Sequence, residues 1–280
     1  MLTLPSLRET VEKYELLAKK SLGQNFLLDM NITNKIIRSS LEAQGLDNFN
    51  GQAVYEIGPG PGGLTRAVLA AEPDTLTVIE MDSRCINIMN DLKEAVGDKL
   101  EIVEGDALQY DFCQPSQKPK NIISNLPYNI SVPLLTGWLK NLNHFKSLTL
   151  MFQKEVAERI CAEPNNKNYG RISVLAQLTA KIKTLMNLNP NCFVPAPKIW
   201  STVLLFQPLP NIPSIEVLEK VEQITALAFG QRRKMIRQSL KNLPDFQNMA
   251  TELNLNTADR AENLTPEQYL QIALYQIKKA

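Results

Sequence analysis

The stretch Ala53-Val54-Tyr55-Glu56-Ile57-Gly58-Pro59-Gly60-Pro61-Gly62-Gly63-Leu64 decides how the chain is read. A short apolar run is broken by glycines and prolines, and then Leu64, Val68 and Ala71 recur at helical spacing. Strand, glycine turn and helix in that order open an α/β sheet. The turn satisfies GxGxxG, and Glu80 stands 22 residues beyond Gly58, where a dinucleotide fold places an acid for ribose hydroxyls. Pro59 and Pro61, however, each remove a backbone N–H from a loop that would cradle a pyrophosphate through such donors. Glycines that allow close approach, Gly58 and Gly60 among them, combined with few anion donors suit a nucleoside without phosphates. S-adenosyl-L-methionine is such a ligand, and the two prolines weigh against nicotinamide cofactors.

Outward from this unit the pattern repeats. Leu76-Thr77-Val78-Ile79 is a second strand ending at Glu80, and Ile86, Met89, Leu92 and Val96 stripe the helix after it. Leu100-Glu101-Ile102-Val103 is a third strand, leading to Asp106. Asn121-Ile122-Ile123-Ser124 is a fourth, leading to Asn125, with an apolar helix opening at Val132-Pro133-Leu134-Leu135. Leu148 to Phe152 is a fifth, with a helix over 154–162. This alternation predicts a doubly wound, mostly parallel sheet with helices on both faces. Upstream, Leu7, Val11, Tyr14 and Leu17 predict a helix over 7–20. An irregular loop over 21–29 follows, then a helix capped by Asn31, striped by Ile32, Ile36, Ile37 and Leu41 and ended by Gly45. Beyond the cluster Pro208, Pro210 and Pro213 only helical stripes remain: Val217, Val221, Ile224 and Ala228, then Met235, Ile236 and Leu240. The expected organisation is a leader over 1–18, an α/β domain over 19–207 and a small all-α domain over 208–280.

Composition bounds the class. A 280-residue chain with 44% hydrophobic and 21% charged residues is ordinary for a soluble globular protein. The formal charge of +1 shows no overall basic excess, so any nucleic-acid surface must be local. Cys85, Cys113, Cys161 and Cys192 form no CxxC pair, and with His144 as the single histidine they offer no zinc spacing. A reduced, intracellular chain is expected. Charged residues from Arg8 to Lys13 interrupt any apolar signal segment, and no run approaches the ~18 apolar residues of a membrane span. The expected location is the cytoplasm, with no membrane association.

Four successive strand ends carry complementary groups. The first has the glycine loop. The second has Glu80, able to accept from both ribose hydroxyls, and the third has Asp106, able to accept from the adenine amine of a cofactor. The fourth has Asn125-Leu126-Pro127-Tyr128. There the Asn125 amide and the Leu126 carbonyl can accept from a planar amine, Pro127 stiffens the turn, and Tyr128 offers a flat apolar face. Each feature alone is an exposed carboxylate or an ordinary strand-to-helix turn. Their arrival on consecutive strand ends puts them on the edge where open α/β sheets bind ligands.

Glu56-Ile57-Gly58-Pro59-Gly60 with Gly62, then Glu80, Asp106-Ala107 and Asn125-Leu126-Pro127-Tyr128, resemble the ribosomal RNA adenine N6-dimethyltransferases. Lys20 to Leu27 resembles the family's cofactor-lid motif. Gln153 to Val156, Tyr169-Gly170-Arg171, Val194-Pro195 with Pro197-Lys198, and Phe229 with Gln231 to Lys234 resemble its later blocks. The resemblance runs from about Lys19 to Tyr269, and is to the bacterial small-subunit, KsgA-type enzymes rather than the large-subunit enzymes of macrolide resistance. It implies a Rossmann-like methyltransferase domain and a small all-α C-terminal domain. It further implies Asn25 and Leu27 closing over S-adenosyl-L-methionine, and Gly58, Gly60, Glu80, Asp106, Ala107 and Asn125 around that cofactor.

The implied reaction is dimethylation of two neighbouring adenosines in a hairpin near the 3′ end of small-subunit (16S) ribosomal RNA. The implied partner is the immature 30S subunit, and a monomer is expected. Gly230 to Lys241 contains Arg232, Arg233, Lys234, Arg237 and Lys241 without an acid, which with Arg171 and Lys198 is the expected RNA contact. Two departures stand out: the leader over 1–18 is longer than the motif needs, and Ile199-Trp200 replaces a Val and a small polar residue. A non-catalytic assembly or transcription factor that kept the fold is the alternative reading; the intact glycine loop and Asn125-to-Tyr128 turn argue against it.

Overall fold

A computed structural model describes residues 5–16 and 24–279. Backbone contacts group the chain into two compact units. The first takes in Met1–Leu135, His144–Lys154 and Lys183–Phe206. Its helices and strands, numbered along the whole chain, are α1 (Leu7–Lys13), β1 (Phe26–Leu27), α2 (Met30–Gln44), β2 (Ala53–Ile57), α3 (Gly63–Ala70), β3 (Thr75–Glu80) and α4 (Ser83–Val96). Then come β4 (Leu100–Glu104), β5 (Lys120–Ser124), the first part of α5 (Tyr128–Lys140), β6 (Ser147–Gln153), most of β7 (Ala180–Leu188), β8 (Phe193–Val194) and β9 (Ser201–Pro208).

The main sheet has the order β4-β3-β2-β5-β6-β9-β7. The pairs β2 with β3, β3 with β4, β2 with β5 and β5 with β6 are parallel, and β9 runs antiparallel to β6. From β2 the chain winds outward to β4, returns to β5 and then winds the other way, so the switch point lies between β2 and β5. Their ladder stops at Tyr55↔Ile122, and beyond it the Ser124 hydroxyl donates to the Ile57 carbonyl at 2.7 Å. The two strand ends part there, which opens the crevice where such sheets take ligands. Every residue of β5 is buried, as a central parallel strand covered on both faces requires.

Local chemistry accounts for the boundaries. Asp29, and not Asn31, caps α2: its carboxylate accepts from the Asn31 N–H at 2.8 Å, and Gly45 ends the helix in the left-handed conformation. Asp82 caps α4 in the same way. The N-terminal helix is shorter than its stripe suggested, closing at Lys13; Leu17 to Lys20 lie outside the described residues, as do Ser21 to Gly23 of the lid motif. Helix α1 starts in a capping box between Ser6 and Glu9, and Leu7 and Leu16 are buried. The described part of the leader, residues 5–16, is therefore packed within this unit. Helix α5 begins at Tyr128, ahead of the expected Val132, and carries Pro133 inside it. Strands β1, β7, β8 and β9 are additions to the elements that the sequence pattern predicts.

The second unit takes in Thr136–Asn143, Glu155–Ile182 and Gln207–Ala280. It holds α6 (Lys154–Ile160), α7 (Arg171–Thr179), α8 (Ile215–Gly230), α9 (Ile236–Ser239), α10 (Phe246–Glu252) and α11 (Pro266–Lys279). Leu218, Val221, Ile224 and Ala228 line the buried side of α8. Phe229 packs between Tyr169 and Tyr269, with ring centroids 5.9 and 6.0 Å away. Both tyrosines are fully buried, and their hydroxyls donate to the carbonyls of Leu264 and Ala261. Burial of large aromatic rings with each polar tip satisfied makes this the centre of the unit.

Candidate active site

A cavity of about 320 Å³ lies over the carboxyl ends of β2 to β5 and is lined by Gly58, Gly60, Glu80, Asp106 and the turn from Asn125 to Tyr128. The segment Gln24 to Leu27 forms its other wall. That segment is held by β1, which pairs with β8 through Phe26↔Val194 and Leu27↔Phe193, and by Gln24, whose amide donates to Asp82 at 3.2 Å. It presses closely on the glycine loop. A Cβ on Gly60 would sit 2.9 Å from the Phe26 ring, and one on Gly63 would sit 2.4 Å from the Leu27 carbonyl oxygen. No side chain fits at either place, a physical reason for glycine there.

Charge is concentrated on one side of the cavity. Glu80 is 7% exposed and its Oε1 accepts from the Met81 and Asp82 N–H groups at 2.8 and 2.9 Å. Burial raises its pKa above the ordinary value despite these donors. Asp82 behaves oppositely: the Arg84 guanidinium, 2.7 Å away, pulls its carboxyl down to about 2. Glu56 also lines the cavity, at 2% exposure, with no hydrogen-bond partner for Oε2 among the described residues. Burial pushes its carboxyl up to about 8, with the neighbouring Glu80 adding to the shift.

Asn125 closes the opposite end. Its Nδ2 donates to the Asn25 carbonyl at 3.0 Å, which orients the amide by one of its two N–H bonds and leaves Oδ1 as an acceptor. Leu126 is 1% exposed and lines the same cavity. The Tyr128 hydroxyl lies 3.1 Å from Ser201 Oγ, and the Ile130 N–H bonds the Pro127 carbonyl, so the turn is tied at both ends. The structure thus brings Asn25, Leu27, Gly58, Gly60, Glu80, Asp106, Asn125, Leu126, Pro127 and Tyr128 to one cavity. Ala107 is buried and does not line it. Met81 and Leu108, two exposed apolar residues on the lining, were missed in the sequence, as was the buried state of Glu56. A large apolar side chain just past each acid-bearing strand end was the available signal for Met81 and Leu108.

The basic residues divide. Arg233, Lys234 and Arg237 are exposed, as are Arg171 at the start of α7 and Lys198 in the first unit. Arg232 instead is only partly exposed and is engaged by its neighbours. It bonds Glu262 at 2.7 Å and the Lys167 carbonyl at 2.7 Å, with its guanidinium 5.9 Å from the Phe229 ring centre. Within the run Gly230 ends α8, residues 231–235 form a turn and Ile236–Ser239 are helical.

The family model for ribosomal RNA adenine dimethylase matches residues 16–278. Ribosomal RNA small subunit methyltransferase A of Rhodospirillum rubrum is 44% identical over 96% of this chain and 92% of its own length. That of Gluconobacter oxydans is 43% identical over 97% and 87%. A dimethyladenosine transferase from Plasmodium falciparum has a similar structure, with a TM-score of 0.71 and 26% identity over 90% of this chain and 97% of the other. The fold is also that of the 23S rRNA methyltransferase ErmE, with a TM-score of 0.64 at 21% identity over 89% and 98%. With a family match over nearly its whole length and relatives this similar, the chain belongs to the ribosomal RNA adenine dimethylase family.

Proposed function

We propose that this protein transfers methyl groups from S-adenosylmethionine to the N6 amines of two adjacent adenosines in a hairpin near the 3′ end of small-subunit ribosomal RNA. We place it in the cytoplasm, acting as a monomer on the immature 30S subunit. The observation that carries the reading is the Asn125 amide, oriented by one N–H bond to the Asn25 carbonyl while its oxygen remains an acceptor beside Leu126 in the cavity.

The cavity suits the cofactor. Glu56, buried and with Oε2 lacking a hydrogen-bond partner among the described residues, fits the cationic methionine end, and Glu80 fits the ribose hydroxyls. Asp106 fits the adenine amine, with Met81 and Leu108 as apolar walls for the ring. S-adenosylmethionine supplies an electrophilic methyl group on sulfur. Every other step falls to the protein. Adenine's exocyclic amine is a poor nucleophile because its lone pair is shared with the ring. Asn125 Oδ1 and the Leu126 carbonyl accept its two N–H bonds and favour tetrahedral nitrogen, which frees that pair. Tyr128 offers a face for the flipped base. In-line placement to about 3–3.5 Å then provides most of the acceleration, and the proton leaves after transfer without a dedicated base.

In the second unit, Arg233, Lys234 and Arg237 are the proposed phosphate contacts, with Arg171; Lys198 serves from the first unit. Arg232 acts by holding the turn that presents them. Mass-spectrometric mapping of ribosomal RNA with and without the protein tests the function. Dimethyladenosine at two adjacent small-subunit positions should vanish in its absence, and unchanged modification would refute it.

A further inference from the structure

The segment from Val194 to Trp200 is fastened at its two ends to two walls of the cavity. Val194 pairs with Phe26, next to the Asn25 carbonyl that holds Asn125, and Ser201 at the far end contacts the Tyr128 hydroxyl. Strand β9 runs antiparallel, so its start at Ser201 lies on the edge where the parallel strands end, the edge that carries the cavity. The backbone is fixed there: the Trp200 carbonyl accepts from the Lys154 N–H at 2.8 Å, and Ser201 is in register with Gln153.

The side chains between these anchors are turned out. Val194 is 53% exposed, Ile199 38% and Trp200 46%, and Lys198 is exposed among them with no acid in the segment. An outward indole on an anchored backbone is set for a planar partner, since leaving that much apolar surface in water is unfavourable. A cation two residues away selects a partner that carries a negative charge beside its plane. A nucleotide combines both.

We propose that Val194 to Trp200 forms a docking rim for the nucleotide adjoining the target adenosine, with the Trp200 indole stacking on that base and the Lys198 ammonium meeting its phosphate. This rests on the methyltransferase reading above and adds a subsite to it. The rim holds the flanking base while the target base enters the cavity, so it contributes to RNA affinity and to the preference for a particular neighbour. It contributes nothing to cofactor binding.

The chain has two tryptophans, and Trp138 is buried at 4% exposure, so Trp200 is the one that solvent and ligands reach. A small-subunit RNA hairpin with two adjacent loop adenosines, added to the full chain, should quench tryptophan emission in the wild type but not in Trp200→Phe. Trp200→Ala should bind the hairpin roughly 5- to 100-fold more weakly, as the loss of one base–aromatic stack implies. Trp200→Phe should restore most of that affinity, and cofactor affinity by calorimetry should not change in either variant. An abasic nucleotide beside the target should weaken wild-type binding by a similar factor and leave Trp200→Ala no weaker than on intact RNA. Unquenched emission at saturation, wild-type RNA affinity in Trp200→Ala, or an equal loss on abasic and intact RNA would each overturn the rim. The last two outcomes with normal methylation by the wild type leave the activity standing, whereas a wild type that methylates no adenosine overturns both.

Discussion

Replacing Glu56 by Gln should make the cofactor-free protein lose less stability as pH rises from 4.5 to about 8. The carboxyl sits at 2% exposure beside Glu80, and its pKa stands at about 8 against an ordinary 4.5. Below pH 4.5 it is protonated in the folded and unfolded chain alike and contributes nothing to pH dependence. Between 4.5 and 8 the unfolded chain has released the proton that the folded chain still holds. Stability therefore falls as pH rises, by about 1.4 kcal/mol per unit for this group. Above 8 both states are ionised and the loss is complete, at roughly 5 kcal/mol as an upper figure. Glutamine keeps the shape and has no proton to lose. Urea unfolding at pH 5, 7 and 8.5 should show Glu56→Gln gaining on the wild type by several kcal/mol across that range, in the midpoint and not in the slope. Parallel curves for the two proteins would refute the reasoning. At pH 7, cofactor binding should release a proton from the wild type only, visible as a buffer-dependent calorimetric enthalpy.

Glu80→Ala should raise the cofactor dissociation constant by about 10- to 100-fold through the loss of charge-assisted bonds, and an unchanged constant would remove Glu80 from the ribose subsite. Reversing Arg233 and Arg237 to Glu should weaken RNA binding and flatten its salt dependence. Arg232→Ala should instead lower the unfolding midpoint, since it breaks the bonds to Glu262 and Lys167, while leaving the salt slope nearly intact. A shallower salt slope for Arg232→Ala than for the Arg233 reversal would contradict this division.

What the sequence reveals here is what local pattern encodes. Strands β2 to β6 read directly because each is a short apolar run closed by a turn, and α2 to α4 read from their stripes. The acids Glu80 and Asp106 are placed by those strands alone. Features made by distant residues do not read this way. Phe26 and Leu27 become a strand only by pairing with Phe193 and Val194, far along the chain. Strand β7 follows α7 without a break, so no turn residue announces it. Nor does the sequence orient the Asn125 amide, because the carbonyl that orients it belongs to Asn25. Arg232 looks like its neighbours until Glu262 and Phe229 are seen beside it. Residues 155–182 carry no composition change, yet they pack with the C-terminal helices.

The bend after β5 either polarises the amine or merely shapes the pocket, and the proposed mechanism requires the first. The decisive measurement is Asn125→Ala, read in parallel as single-turnover methyl transfer and as calorimetric cofactor affinity. Transfer should slow by about 100- to 1000-fold, as for other lost polar contacts to a reacting group, while cofactor affinity falls by no more than ~10-fold through the missing bond to Asn25. Transfer that declines only in step with cofactor occupancy, and recovers fully at saturating cofactor, would contradict that mechanism.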